Sequence, residues 1–140
     1  MKTAPNYKLY VMKPLPPAIV KRAYASPGAK ELAWRRIDLP EALEAICATQ
    51  QAVLGGEVWL VRNPNENWHG LVPDRKGGPD GVWSWDTVPR LANESWPAYC
   101  ERTYRESLNV LSEMNVEESA REDVVSYIWF NITYVDAHDV

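Results

Sequence analysis

Histidine and cysteine are scarce in this chain, with two of each in 140 residues. Enzymes draw many of their bases, nucleophiles and metal ligands from these two residue types, so little is left for such chemistry. His69 falls in a turn-rich loop and His138 near the end of the chain, where each reads as a solvated side chain rather than a general base. Cys47 and Cys100 lie in stretches that read as helix, beside apolar neighbours, and are expected as free, buried thiols rather than a disulfide. No Cys-x-x-Cys or Cys-x-x-His spacing offers a zinc site. Gly-x-Ser-x-Gly, His-Glu-x-x-His and Gly-x-x-x-x-Gly-Lys are all missing, which removes the signatures of several hydrolases and of phosphate-loop proteins. No catalytic residue, cofactor or metal is therefore expected. Long apolar runs are missing too: nothing approaches the roughly 20 residues that span a bilayer. The segment Met1–Lys8 lacks the apolar stretch of a signal peptide. These two absences predict a cytoplasmic protein with no membrane partner.

What is present describes one globular domain over residues 1–140, because 46% apolar and 24% charged residues suffice for a core and argue against disorder. The net charge of −4 is unevenly spread: residues 1–70 carry +3 and residues 71–140 carry −7. An acidic half is a poor nucleic-acid binder and a good attractor of basic proteins.

Residues 1–17 are Pro-rich and read as an extended arm, Ile19–Tyr24 as a short strand, and residues 136–140 as a frayed tail. Asp38, with Glu41 three residues on in capping-box spacing, marks a first helix whose inner face carries Leu39, Leu43, Ile46 and Cys47. Gly55-Gly56 precedes an alternating strand, Glu57–Val61, and reads as a helix-to-strand turn rather than a phosphate cradle, since no helix follows it. Val82–Val88 reads as a strand closed by Pro89. A long helix over about Trp96–Met114 is capped by Ser95 and laced by Glu101–Arg105 and Arg102–Glu106. From Val124 to Val135 the even positions are mostly apolar and the odd ones mix aromatic and polar residues, which predicts a long sheet strand. The combination predicts an α+β fold with a mainly antiparallel sheet and two helices packed on one face.

Two features are candidates for partner binding. Trp83-Ser84-Trp85 sets two indoles on one strand face, either a platform beside Asp86 or simple packing against the helices. Residues 113–123 hold Glu113, Glu117, Glu118, Glu122 and Asp123 against one base, Arg121, either a solvated helix end or a docking patch for a basic partner.

The run Leu39-Pro40-Glu41-Ala42-Leu43-Glu44-Ala45-Ile46, followed by Val53-Leu54-Gly55-Gly56-Glu57-Val58-Trp59, resembles the immunity protein 40 family of bacterial polymorphic toxin systems. Val82-Trp83-Ser84-Trp85-Asp86 and Glu94-Ser95-Trp96-Pro97-Ala98-Tyr99 look like its later parts, so the resemblance spans roughly residues 30–115. It brings no catalytic residues and implies stoichiometric binding of a cognate toxin protein. The tryptophan strand and the acidic stretch supply the expected contact residues, Trp83, Trp85, Asp86, Glu113, Glu117, Glu118, Glu122 and Asp123. The alternative is a binding module for a ligand such as carbohydrate, using Trp83, Trp85, Asp86, Asn93 and Trp96. An enzyme is the third reading.

Overall fold

A computed structural model describes residues 13–27, 31–63, 65 and 67–137. Its elements, in chain order, begin with α1 (Pro17–Lys21), β1 (Tyr24–Ala25), β2 (Leu32–Trp34), a 3-10 turn (Arg36–Asp38), α2 (Leu39–Ala48) and β3 (Gln51–Leu60). There follow β4 (Leu71–Val72), β5 (Gly81–Val82), β6 (Ser84–Asp86), α3 (Trp96–Glu113), α4 (Val116–Ser119), a 3-10 helix (Glu122–Tyr127) and β7 (Ile128–Asp136). Among the described residues five strands form an antiparallel sheet in the order β1-β2-β7-β3-β6, and β4 and β5 form a separate two-stranded ribbon. The α+β architecture is as the patterning predicts, with α2 and α3 packed on each other and on β3.

The alternation of β7 explains the layers. Its even residues Ile128, Phe130, Ile132 and Tyr134 join Trp34, Val58, Leu60 and Trp85 beneath Leu43 and Ile46 of α2 and Leu111 of α3. Its odd residues Trp129, Asn131 and Thr133 point to the face without helices. Tyr24, Ala33, Trp59 and Val61 form a second cluster there, flanked by Trp68 and Trp129.

Several boundaries differ from the sequence reading. Ile19 belongs to the short helix α1, which begins at Pro17, and only Tyr24–Ala25 is strand. A proline in the first turn costs a helix no hydrogen bond, so Pro17 starts α1 readily. The end of the expected arm is anchored: Leu15 is buried, and the backbone N–H of Lys13 donates to Gln51 Oε1 at 2.7 Å. Residues 1–12, the rest of that arm, lie outside the described residues, as do His138 and the last two residues of the expected tail; Asp136 is buried at the end of β7. Residues 124–127, expected as the start of the last strand, lie instead in the 3-10 helix Glu122–Tyr127. Asp38 makes no capping hydrogen bond; its carboxylate pairs with Arg22 at 2.8 Å instead. The turn into β3 is Thr49-Gln50, with Gln50 at φ 59°, so β3 begins at Gln51 and Gly55-Gly56 lies inside the strand.

That placement matters. Val53 pairs with Tyr134 and Gly55 with Thr133, so Leu54 is one residue too many on β3, a β-bulge. The bulge shifts the phase of the strand, which puts Val53 on the same face as Val58 and Leu60 despite the odd spacing. Neighbours satisfy its backbone: Val53 N–H donates to the buried hydroxyl of Thr103 on α3 at 3.0 Å, and Thr87 Oγ1 donates to Val53 O at 2.6 Å. Gly55 takes φ +151°, and a Cβ on Gly56 would strike the Trp85 indole and the Asn131 carbonyl. Only glycine lets the Trp85 ring lie this close to β3.

Candidate functional site

The sheet is covered by helices on one side, so side chains that can meet another molecule concentrate on the other. Strand register sets out a row across that face: Tyr24 opposite Ala33, Ala33 opposite Asn131, Asn131 opposite Glu57, and Glu57 opposite Ser84. The neighbouring positions are Trp129 opposite Trp59 on one side of the row, and Thr133, Gly55 and Asp86 on the other. Period-2 alternation alone thus divides the face into an aromatic end and a polar, acidic end.

The acidic end is concave. Glu31, Glu57, Ser84, Asp86, Asn131 and Thr133 surround a hollow of about 300 Å³ whose floor is Leu54, Gly55 and Gly56. Gly55, which shares the face of Thr133 and Asp86, puts no side chain into the hollow, while Gly56 lies against Trp85 on the other face. Asn131 Nδ2 donates to Leu32 O at 3.0 Å and Trp59 Nε1 to Glu57 Oε1 at 3.1 Å, which hold two members of the wall in place. Among the described residues Glu31, Glu57 and Asp86 face no cation within ion-pair distance.

The aromatic end holds a second hollow, of about 410 Å³, lined by Tyr24, Arg35, Val61, Arg62, Tyr127 and Trp129 among others. Tyr24 meets Trp59 edge-on at 6.0 Å and lies 5.9 Å from Trp129, while Trp68 stacks flat on Trp59 at 4.3 Å. The Arg35 guanidinium lies 4.3 Å above the Trp129 ring, and Arg62 lies 5.3 Å from Tyr127.

The tryptophans singled out in the sequence fall elsewhere. Trp85 is buried under α3, where its Nε1 donates to Ser107 Oγ at 3.4 Å. Trp83 is half-buried against the same core and lines a shallow hollow with Val72, Asp74 and Val82. The pair packs against the helix side of the sheet and forms no open platform. Trp96 donates to Gln50 O at 2.7 Å and meets Tyr99 edge-on, and Asn93 lies exposed in a turn. Of the carbohydrate set, only Asp86 lines the acidic hollow.

The stretch 113–123 is largely paired within the molecule. Glu117 chelates Arg36 at 2.5 and 2.8 Å. Arg36 also donates to the carbonyls of Leu111 and Met114 at the end of α3 and lies over the Phe130 ring. Arg121 chelates Asp123, and Arg75 stands 3.6 Å from Glu122. Glu113 and Glu118 alone of the five are exposed without a charged partner among the described residues.

Sequence reasoning named Asp86 but missed Glu31, Glu57, Asn131 and Thr133, and on the aromatic side Tyr24, Arg35, Arg62, Tyr127 and Trp129. The odd positions of β7 carried the signal, since that mixed face had to lie opposite the helices. Among the described residues no three His, Cys, Asp or Glu side chains converge as metal ligands, and no helix is long and apolar enough to cross a membrane. Comparison with protein-family models, with curated proteins and with solved structures finds no match.

Proposed function

We propose that this chain is an immunity protein, which neutralises a cognate toxin by binding it one-to-one, and that the helix-free face of the sheet is the surface that binds. One observation carries the reading: Gly55, Gly56, Glu57, Ser84 and Asp86, which line the acidic hollow, come from two of the four runs on which the resemblance to the immunity protein 40 family rests. A structural Gly-Gly motif that also opens a charged cavity beside two strands gives the resemblance a physical purpose. Carboxylates set in a concave surface, with no cation within ion-pair distance among the described residues, suit a partner whose own site is basic, such as an enzyme that grips nucleic acid. The chain acts without turnover, in the cytoplasm, by occupying that site. The stretch 113–123 plays a lesser part, because three of its five acids already hold arginines.

The test pairs the chain with a toxin encoded beside it. Co-expression restores growth of cells making the toxin, and calorimetry gives a stoichiometry of one. Glu31→Lys combined with Asp86→Lys abolishes rescue while circular dichroism and melting stay at wild-type values, because both side chains are exposed. Glu118→Lys, exposed in the other acidic region, leaves rescue intact. Full rescue by the doubly reversed variant, or no neutralisation by the wild type, overturns the assignment.

A further inference from the structure

We infer that the hollow at the aromatic end of the face is a binding site for a small planar aromatic molecule carrying an anionic group. Three features of this hollow support the assignment, which stands apart from toxin docking. First, its size and walls suit a small molecule: about 410 Å³, bounded by Tyr24, Tyr127 and Trp129, lies within the usual range of ligand pockets. Second, its two cations are not in ion pairs with any described residue. Among the described residues neither Arg35 nor Arg62 stands within ion-pair distance of a carboxylate, and Asp123, close enough to feel Arg62, is already chelated by Arg121. Third, Arg35 is fixed in place. One of its nitrogens donates to Ser126 O at 2.6 Å and Ile128 O at 3.1 Å, and its plane lies on Trp129, so the rest of the fork is presented without further loss of side-chain freedom. Burial pushes the Arg35 pKa down, as expected for a cation partly stripped of water. An anion entering the hollow supplies a countercharge, while its ring takes up the aromatic wall. Guanidinium N–H groups donate to carboxylate and phosphate oxygens in the same forked geometry, so both belong to the class.

Titration of the intact protein with phenylacetate, indole-3-acetate and phenyl phosphate, followed at the indole N–H resonances, reads the site directly. At least one of the three shifts the Trp129 signal saturably, with the signal assigned through Trp129→Phe; the carboxylates and the phosphate distinguish the two anionic groups. 2-Phenylethylamine, of the same size and opposite charge, gives no saturable shift. Arg62→Gln, at an exposed residue free of structural hydrogen bonds, weakens binding at least about fivefold with the spectrum otherwise unchanged. Arg35→Gln weakens it further, and the Arg62 variant decides the matter if loss of the two carbonyl contacts disturbs the fold. Equal binding of the amine, an unchanged dissociation constant in Arg62→Gln, or no saturable shift with any of the three anions overturns the assignment.

Discussion

Arg36 shows how far a single side chain in this molecule departs from what its surface position suggests. It chelates Glu117, satisfies the last carbonyls of α3 at Leu111 and Met114, and lies 4.7 Å from the Phe130 ring. Helix C-termini leave carbonyls unpaired, and a guanidinium is well suited to collect them. Glu117 therefore acts as a brace for Arg36. Glu117→Lys sets a cation against Arg36 and is expected to lower stability by roughly 2 kcal/mol, the scale of a lost charge-assisted hydrogen-bond pair. Glu118→Lys, one residue away and exposed, changes it by less than about 0.5 kcal/mol. Urea unfolding of the two variants measures the contrast directly. At Trp85 the expectation is larger still: removing a buried indole that fits against Gly56 costs about 3–5 kcal/mol in Trp85→Ala. Gly56→Ala, one methyl added from the other side of the same contact, also destabilises, because it meets both that ring and the Asn131 carbonyl.

The segment 87–95 and α3 are tied together by Arg102. It chelates Glu94 at 2.6 and 2.8 Å, reaches Glu106 on the next turn of α3, and donates to the carbonyls of Val88 and Pro89. Arg102 holds the Glu94 carboxyl down to about 2, against an ordinary 4.5. A carboxyl depressed in the fold stabilises it fully above the unfolded value, and that contribution disappears as pH falls through about 4.5 towards 2. Glu94→Gln is thus expected to flatten the acid side of the stability profile, read as urea midpoints between about pH 6 and pH 2.5, while lowering stability near neutrality. At this scale the sequence was legible wherever period and caps agreed. The Ser95 hydroxyl caps α3 at Ala98 N–H, both charge pairs along α3 form, and the two faces of β7 sort as their alternation predicts. It was illegible where a tertiary contact decided. Asp38 carries a cap signature, but Arg22 from α1 takes its carboxylate, and Val124-Val125 has strand chemistry but coils to bury Val124. Gly55-Gly56 reads as a turn because the neighbour that requires glycine, Trp85, lies about thirty residues away. The acidic hollow was hidden for the same reason, since register across β6, β3 and β7 assembles it and no local spacing does.

Taken whole, the molecule uses its two cysteines as packing and not as a bridge. Cys47 and Cys100 are free, and burial pushes the Cys100 thiol up to about 12, so it stays protonated and inert at neutral pH. Melting curves with and without reductant are expected to coincide; a lower midpoint on reduction would reveal a bridge. Stability rests instead on the pairing of β3 with β7, which runs from Gln51 opposite Asp136 to Leu60 opposite Ile128 and occupies the middle of the sheet. A chain ending at Tyr127 loses a central strand and with it the Phe130 and Ile132 part of the core, and is expected to show neither dispersed amide resonances nor a cooperative melt. The same arrangement has a consequence for biosynthesis. The ribosome delivers every other strand before β7, yet β2 and β3 touch only through it. Until residues 128–136 emerge, both strands offer bare hydrogen-bonding edges and an unburied Trp34, Val58 and Leu60, the kind of surface that chaperones and proteases recognise. Products interrupted before residue 128 are therefore expected to be degraded faster than chains that carry β7, which pulse-chase turnover measures.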